Sequence, residues 1–299
     1  YNTEVSLIEN FQTVVTSIET NFNMWKMRNL SLIGKIQIIK TFAISKVLFV
    51  TNMKTAPDEF IKQINATIRK FLWKGQDKVK LTTMISDIAQ GGLRMPHLES
   101  IIKTQKIIWC RRFSDRNYHP WKEFLNQELL PYAKSEVMNR KLPKQIIQSL
   151  SISNFNKEML QCWTNFQESP TNYLEIGNQL IWYNEYIVTP SNNTLHYQRL
   201  AQNHNINYIR DLVMNGNIIM SSESSKWNLT DIEKMEVNSL LNCIPTEWKE
   251  TNFKRIHVST IPKEEYIEAE QKSLNKINSK DVYSKIIMPL TTYPISEKY

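Results

Sequence analysis

The sequence predicts a mainly α-helical chain: a basic helical bundle followed by a helical connector, with at most short β pieces. Three observations predict it. Apolar residues recur at three- and four-residue steps through the first hundred positions, which is the repeat of one helix face. Six glycines in 299 residues are few for a turn-rich β-fold. Prolines and short polar side chains stand where the periodic runs begin, as they do at helix starts. The length allows one large domain or two ordinary ones, and 41% hydrophobic content supports a packed core.

The first helix is expected over residues 5–22, where Ile8, Phe11, Val15, Ile18 and Phe22 share a face. Asn21 and Asn23 loosen the pattern before Trp25. Ser31 is suited to cap the next helix, because its hydroxyl accepts an orphan backbone N–H. Leu32, Ile36, Ile39, Ala43, Val47 and Val50 form the core stripe of that helix, and Lys35, Phe42 and Lys46 fall together on a neighbouring stripe. Gly34 costs a helix about 1 kcal/mol relative to Ala. Close approach of another backbone or plain helix packing would explain it. Pro57 opens a third helix with Asp58 and Glu59 at its positive end. Phe60, Ile64, Ile68 and Phe71 face its core, and the helix ends near Trp73, Lys74 and Gly75.

Residues 76–96 read as irregular, with a short extended piece at Val79 to Thr82 and a tight turn at Gly91-Gly92. Pro96 opens a helix ending in Arg111 and Arg112. Beyond residue 120, Pro120 and Pro143 open helices, and Asn154 caps another. Polar turns surround Leu180, Ile181, Trp182 and Tyr183. Short helices are expected at 194–203 and 206–214. Thr230 to Glu233 fits a capping box for a helix through Leu241, stopped by Pro245. The tail from Lys263 to Ile287 reads as two polar, loosely attached helices. The expected domains are 1–115, basic and helical, then a connector at 116–262 and a tail at 263–299.

The charge of +8 is uneven: residues 1–120 carry 18 Lys and Arg against 9 Asp and Glu, and residues 121–299 carry 19 against 20. Between 24 and 80 the balance is 12 against 3. Clustered basic charge suits a polyanionic partner, although charge taken alone favours a solvated basic face with no partner. Cys110, Cys162 and Cys243 are odd in number and scattered, which gives no disulfide framework and points to a reducing, intracellular compartment. No run has transmembrane length, so no membrane partner is expected. The chain opens at Tyr1 without an initiator Met and is read as an internal or C-terminal piece of something longer.

The residues for catalysis are not visible. The five histidines never stand near a cysteine at ligand spacing, so no metal site is assigned. Neither a phosphate loop nor a dinucleotide fingerprint occurs, and no serine sits in a G-x-S-x-G turn. The seven aspartates are isolated from one another, with no adjacent pair of the kind that holds two Mg²⁺ ions. The positive signal is instead cations interleaved with aromatics, Trp25, Lys26, Arg28, Lys35, Lys40, Phe42, Lys46, Arg69, Lys70, Trp73, Lys74, Lys78 and Lys80; of these Trp25, Lys26, Arg28, Lys35, Lys40, Lys46 and Lys74 are the candidate binding residues. Lys and Arg neutralise phosphates without reading sequence, and rings can stack on sugars or bases. The alternative for Trp25, Phe42, Phe71 and Trp73 is that they fill the core between helices.

The stretch WKMRNLSLIGKIQIIK, Trp25 to Lys40, resembles the thumb segment of reverse transcriptases from LINE-type (non-LTR) retrotransposons. The resemblance continues through residues 64–100, with an F-x-W-K-G-like and a G-G-L-x-x-P element at the family's spacing. It extends more softly through QLIWYNEYI at 179–187, NINYIRDLVMNGNIIM at 205–220 and CIPTEWK at 243–249. It implies a parent RNA-directed DNA polymerase whose fingers and palm, with the paired aspartates and Mg²⁺, precede Tyr1. The implied role here is a helical thumb, then its connector, holding an RNA template and DNA primer through Trp25, Arg28, Gly34, Lys35 and Lys40. The partners implied are that duplex and the missing palm and fingers, in the nucleus. No catalytic residue and no cofactor carries over to this chain, which is expected to be inactive alone. The rival expectations are a stand-alone nucleic-acid-binding protein derived from such an element, and a helical scaffold or decayed product that binds nothing.

Overall fold

The computed structural model describes residues 3–73, 79–115, 117–132, 134–224, 226–253 and 277–291. The chain is mainly α-helical, with one two-stranded hairpin among the described residues. It divides into two compact units, Tyr1–Ile108 with Asn278–Tyr299, and Trp109–Ile277.

The first unit is built on three helical stretches. Helix α1, Thr3–Lys26, runs one turn past the expected end, because Asn21 and Asn23 sit in a helix whose buried face continues to Phe22. Phe11, Val15, Ile18 and Phe22 are buried as the periodicity predicts; the Ile8 side chain is outside the described residues. Ser31 caps α2, Leu32–Ile38, accepting from the Gly34 N–H at 3.1 Å. A π-helical segment, Ile39–Ile44, then joins α2 to α3, Ser45–Thr51. Helix α4, Asp58–Trp73, buries Phe60, Ile64, Ile68 and Phe71, with Asp58 and Glu59 in its first turn.

The pairing of side chains sets the directions of these helices. Phe11 meets Phe60 with ring centroids 4.6 Å apart, and Phe22 stacks on Phe71 at 4.2 Å. The constant offset of 49 residues means that α1 and α4 run side by side in the same direction. Lys46 bonds Ser17 while Phe42 packs on Trp25, so the stretch between α1 and α4 runs antiparallel to both. Each fully buried Ile or Phe at this three-way contact stabilises the bundle by about 1.5–3 kcal/mol.

Residues 79–97 depart from the expected extended piece. They form α5, Leu81–Ile85, and a short 3₁₀ turn, Ile88–Gln90, because Met84 and Ile85 pack into the bundle core, which a helical turn allows. The chain then folds back, with the Leu93 and Met95 N–H groups both donating to the Met84 carbonyl. A Cβ at Gly92 would lie 2.1 Å from the Ser86 carbonyl oxygen, so this fold-back tolerates only glycine. Helix α6, Leu98–Ser114, comes next in the chain and contains the division between the units.

The second unit carries α7, Pro120–Glu128, two 3₁₀ turns, α8, Lys144–Ser149, and α9, Asn154–Phe166. The cap of α9 is Ser153 rather than the expected Asn154; its hydroxyl accepts from Asn156 N–H at 3.3 Å. Helix α10 is Tyr173–Gly177 and α11 is Gln198–Asn203. The expected helix at 206–214 is replaced by a 3₁₀ turn, Ile209–Leu212, and strand β1, Val213–Met214, which pairs antiparallel with β2, Asn217–Ile218. Asn215 and Gly216 have φ of 52° and 79°, the backbone of a type I′ hairpin turn, so the Asn-Gly pair overrides the helical period. Helix α12, Asp231–Cys243, and α13, Thr246–Lys249, close the unit over a core that includes Trp182, Leu212, Val237, Leu240 and Trp248.

Helix α14, Ser279–Thr291, packs beside α5 in the first unit. Its Tyr283 hydroxyl accepts from the His97 N–H at 3.0 Å, and Ile287 packs on the bundle core. This part of the tail is therefore anchored rather than loose, because Val282, Tyr283, Ile286 and Ile287 form an inward apolar side within an otherwise polar stretch. The first of the two expected tail helices lies outside the described residues.

Candidate nucleic-acid interface

The candidate residues are positioned by the corner between α1 and α2. Trp25 sits half-buried in the last turn of α1, packed on Phe42 with centroids 6.0 Å apart. The Arg28 guanidinium lies 4.7 Å from the centre of the Trp25 ring, a cation–π contact that leaves the exposed arginine facing solvent. The Arg28 and Leu30 N–H groups donate to the Trp25 and Arg28 carbonyls, and the Ser31 cap then starts α2. Trp25, Arg28 and Phe42 are thus brought together on a preformed turn, with the rings half in the core and the cation outside.

The other candidates separate. Lys26 reaches Asn23 at 3.5 Å within its own helix. The Lys35 ammonium donates to the Leu72 carbonyl at 2.7 Å and lies 5.9 Å from the Phe71 ring. It satisfies a carbonyl in the last turn of α4, where cations complement the helix dipole. Lys46 donates to the Ser17 hydroxyl on α1. Lys35, Phe42 and Lys46 therefore do not form the single row expected: Lys35 faces α4, while Phe42 and Lys46 face α1. The cause is the π-helical segment between them, whose i→i+5 bonding adds a residue to the turn and rotates the residues beyond it. Lys40 lies within that segment, exposed, with no hydrogen-bond or ion-pair partner among the described residues. A Cβ at Gly34 would meet Ser31 Oγ at 3.4 Å and Leu30 at 3.7 Å, so no other helix presses on this glycine. Lys74 lies outside the described residues.

The G-G-L-x-x-P element has its own geometry. Arg94, at φ 49°, grips Asp87 through Nε at 2.8 Å and Nη2 at 2.5 Å. The Asp87 carboxylate also accepts from the Ala89 N–H at 3.0 Å. That backbone bond, then Arg94, holds the Asp87 carboxyl below its ordinary range. Arg94 is spent on stabilising this turn.

Two features lie beyond the expectations drawn from sequence. A shallow, wide-open depression of about 750 Å³ lies on the outer face of α1, lined by Gln12, Thr13, Thr16, Ser17, Thr20 and Asn21. A second depression of about 310 Å³ shares Thr13 and Ser17 and continues onto Ser45, Lys46 and Phe49 of the neighbouring helix. Its signal in the sequence is a neutral polar stripe at three- and four-residue steps opposite the apolar stripe of α1. The other feature is Arg140 in the second unit, 2% exposed, and a lone arginine in sequence carries no mark of burial.

No family model matches the chain. Among the described residues, no group of three or more His, Cys, Asp or Glu is placed to hold a metal ion. No described helix is long and apolar enough to cross a membrane. Cys110, Cys162 and Cys243 are free thiols.

Proposed function

We propose that this chain is the thumb and connector region of a LINE-type reverse transcriptase, and that its basic first unit holds a template RNA–primer DNA duplex by sequence-independent contacts. In this reading the polymerising palm and its Mg²⁺ belong to the preceding part of the parent protein. The observation that carries the reading is the turn joining α1 to α2, at the start of the stretch resembling a thumb. There Arg28 is stacked on Trp25 and exposed, and Lys40 is exposed further along, within a segment where basic residues outnumber acidic ones 12 to 3. Lys and Arg at such a surface release counterions from phosphates, so affinity depends steeply on salt. Anisotropy titrations of an RNA–DNA hybrid from 50 to 200 mM salt are expected to show affinity falling by about tenfold or more. Salt-insensitive binding, or no binding at the lower salt, would rule the reading out.

One observation favours the rival of a scaffold that binds nothing: Lys35 and Lys46 are both tied to groups inside the protein. The same low-salt titration separates the two readings, since a scaffold leaves the anisotropy unchanged.

A further inference from the structure

Helices α6 and α9 meet inside the second unit. Trp109 of α6 sets its ring edge-on to Phe155 of α9, with centroids 6.0 Å apart. One residue on, the Cys110 thiol donates to the Met159 carbonyl at 3.3 Å. That carbonyl belongs to the residue three before Cys162, in the same helix. It is the backbone acceptor to which a short side chain at Cys162 folds back. Side chains of a helix tilt toward its N-terminus, so the Cys162 thiol leans toward the turn on which the Cys110 sulfur rests. The Cys162 thiol also opposes ionisation of Cys110, as a group close in space does. We propose that Cys110 and Cys162 are a redox pair, which closes into a disulfide between α6 and α9 when the chain meets a small disulfide such as oxidised glutathione.

Exposure sets the order of events. Cys110 is 1% exposed and has no room for a glutathione, whereas Cys162 is half-buried and gives the way in. The Cys162 thiolate attacks one sulfur of oxidised glutathione, forms a mixed disulfide and releases the first glutathione thiol. Cys110 then gives up its proton and attacks the Cys162 sulfur, which releases the second glutathione thiol. Two electrons and two protons have passed from the pair to glutathione, and excess thiol runs the exchange backward. Burial pushes the Cys110 thiol well up, so closure is the slow step and quickens as pH rises. The bridge closes a loop of about 50 residues, which constrains the unfolded chain and stabilises the second unit. It also pins the second-unit end of α6, the helix in which the two units divide.

The test treats the full, folded chain with excess oxidised glutathione and maps its peptides by mass spectrometry without reduction. A Cys110–Cys162 cross-link is expected, with a rise of about 5 °C or more in the thermal midpoint. Dithiothreitol should reverse both. Cys110→Ser should stop at a mixed disulfide on Cys162, Cys162→Ser should leave Cys110 a free thiol, and Cys243→Ser should cross-link as wild type does. The map of the wild-type chain decides the pairing whether or not the variants fold. A wild-type chain that stops at a mixed disulfide on Cys162, or joins either thiol to Cys243, overturns the proposal. So does a cross-link that leaves the thermal midpoint unchanged or forms only after unfolding in urea.

Discussion

At the scale of single residues, the deciding question is what each cation touches. Lys35 and Lys40 look alike in sequence, five positions apart, and the structure gives them opposite environments. Replacing Lys35 by Glu removes the donor to the Leu72 carbonyl and sets a negative charge at the C-terminal end of α4. It is expected to lower stability by about 1–2 kcal/mol. Lys40→Glu removes an exposed charge with no described partner. It should leave the thermal midpoint unchanged and weaken duplex binding. Paired melting and binding measurements check both, and a Lys40 variant that only unfolds would return that residue to a structural role.

Arg140 is a buried charge with its partners in view. Its guanidinium donates to the Trp182 and Tyr132 carbonyls and lies 5.9 and 6.0 Å from the Tyr132 and Tyr183 rings. No carboxylate pairs with it among the described residues. Burial draws its pKa down to about 10, so it stays charged at neutral pH. Arg140→Ala strands two carbonyl acceptors and opens a cavity, at an expected cost of about 3 kcal/mol or more. Arg140→Lys should recover little, because one ammonium does not reproduce the planar fork that serves both carbonyls. Urea unfolding midpoints of the two variants measure this.

At the scale of elements, helix ends carry the information. Thr230 and Glu233 form the predicted capping box of α12: Glu233 accepts from the Thr230 N–H at 2.9 Å and hydroxyl at 2.8 Å, and Thr230 Oγ1 accepts from the Glu233 N–H. Glu233 also accepts from Asn203 at 3.1 Å and pairs with His204 at 3.1 Å, which ties α12 to the end of α11. The Thr230 backbone bond is the largest cause that holds the Glu233 carboxyl at about 2, against an ordinary 4.5; Asn203, the Thr230 hydroxyl and His204 add to it. A lowered folded pKa fixes the sign. The stabilisation is complete above about pH 4.5 and fades as pH falls toward 2. In unfolding titrations, Glu233→Gln should be less stable than wild type at pH 7, and the two curves should converge as pH falls from 5 to 2. A gap that stays constant across that range would show that the charge contributes nothing.

At the scale of the whole molecule, charge and core divide differently. The two hydrophobic clusters are separate, one formed by residues 11–102 with Ile287, the other by residues 176–253. Nearly all the excess positive charge belongs to residues 1–120. A polyanion would therefore be attracted to the first unit, and the salt slope of duplex binding should be set there. The near-neutral remainder is built from caps, buried tryptophans and ion pairs such as Arg199–Glu236 at 3.2 Å, which organise structure rather than an external field.

The sequence by itself determined whatever depends on local spacing. The mainly α character, the buried faces of α1 and α4, the Ser31 cap and the Thr230–Glu233 box come from periods and caps that span a few residues. The hairpin is equally local, announced by Asn215-Gly216, but the apolar period around that pair points to a helix and masks it. The tertiary structure alone decided where each cation points. Lys35 faces α4, the π-helical segment that follows turned Lys46 toward α1 instead, and Lys40 stays outside. Packing also decided that Arg140 is buried and that α14 is anchored through Tyr283. These outcomes depend on which helix lies next to which, and that is set by packing between residues far apart in the chain rather than by any stretch of it.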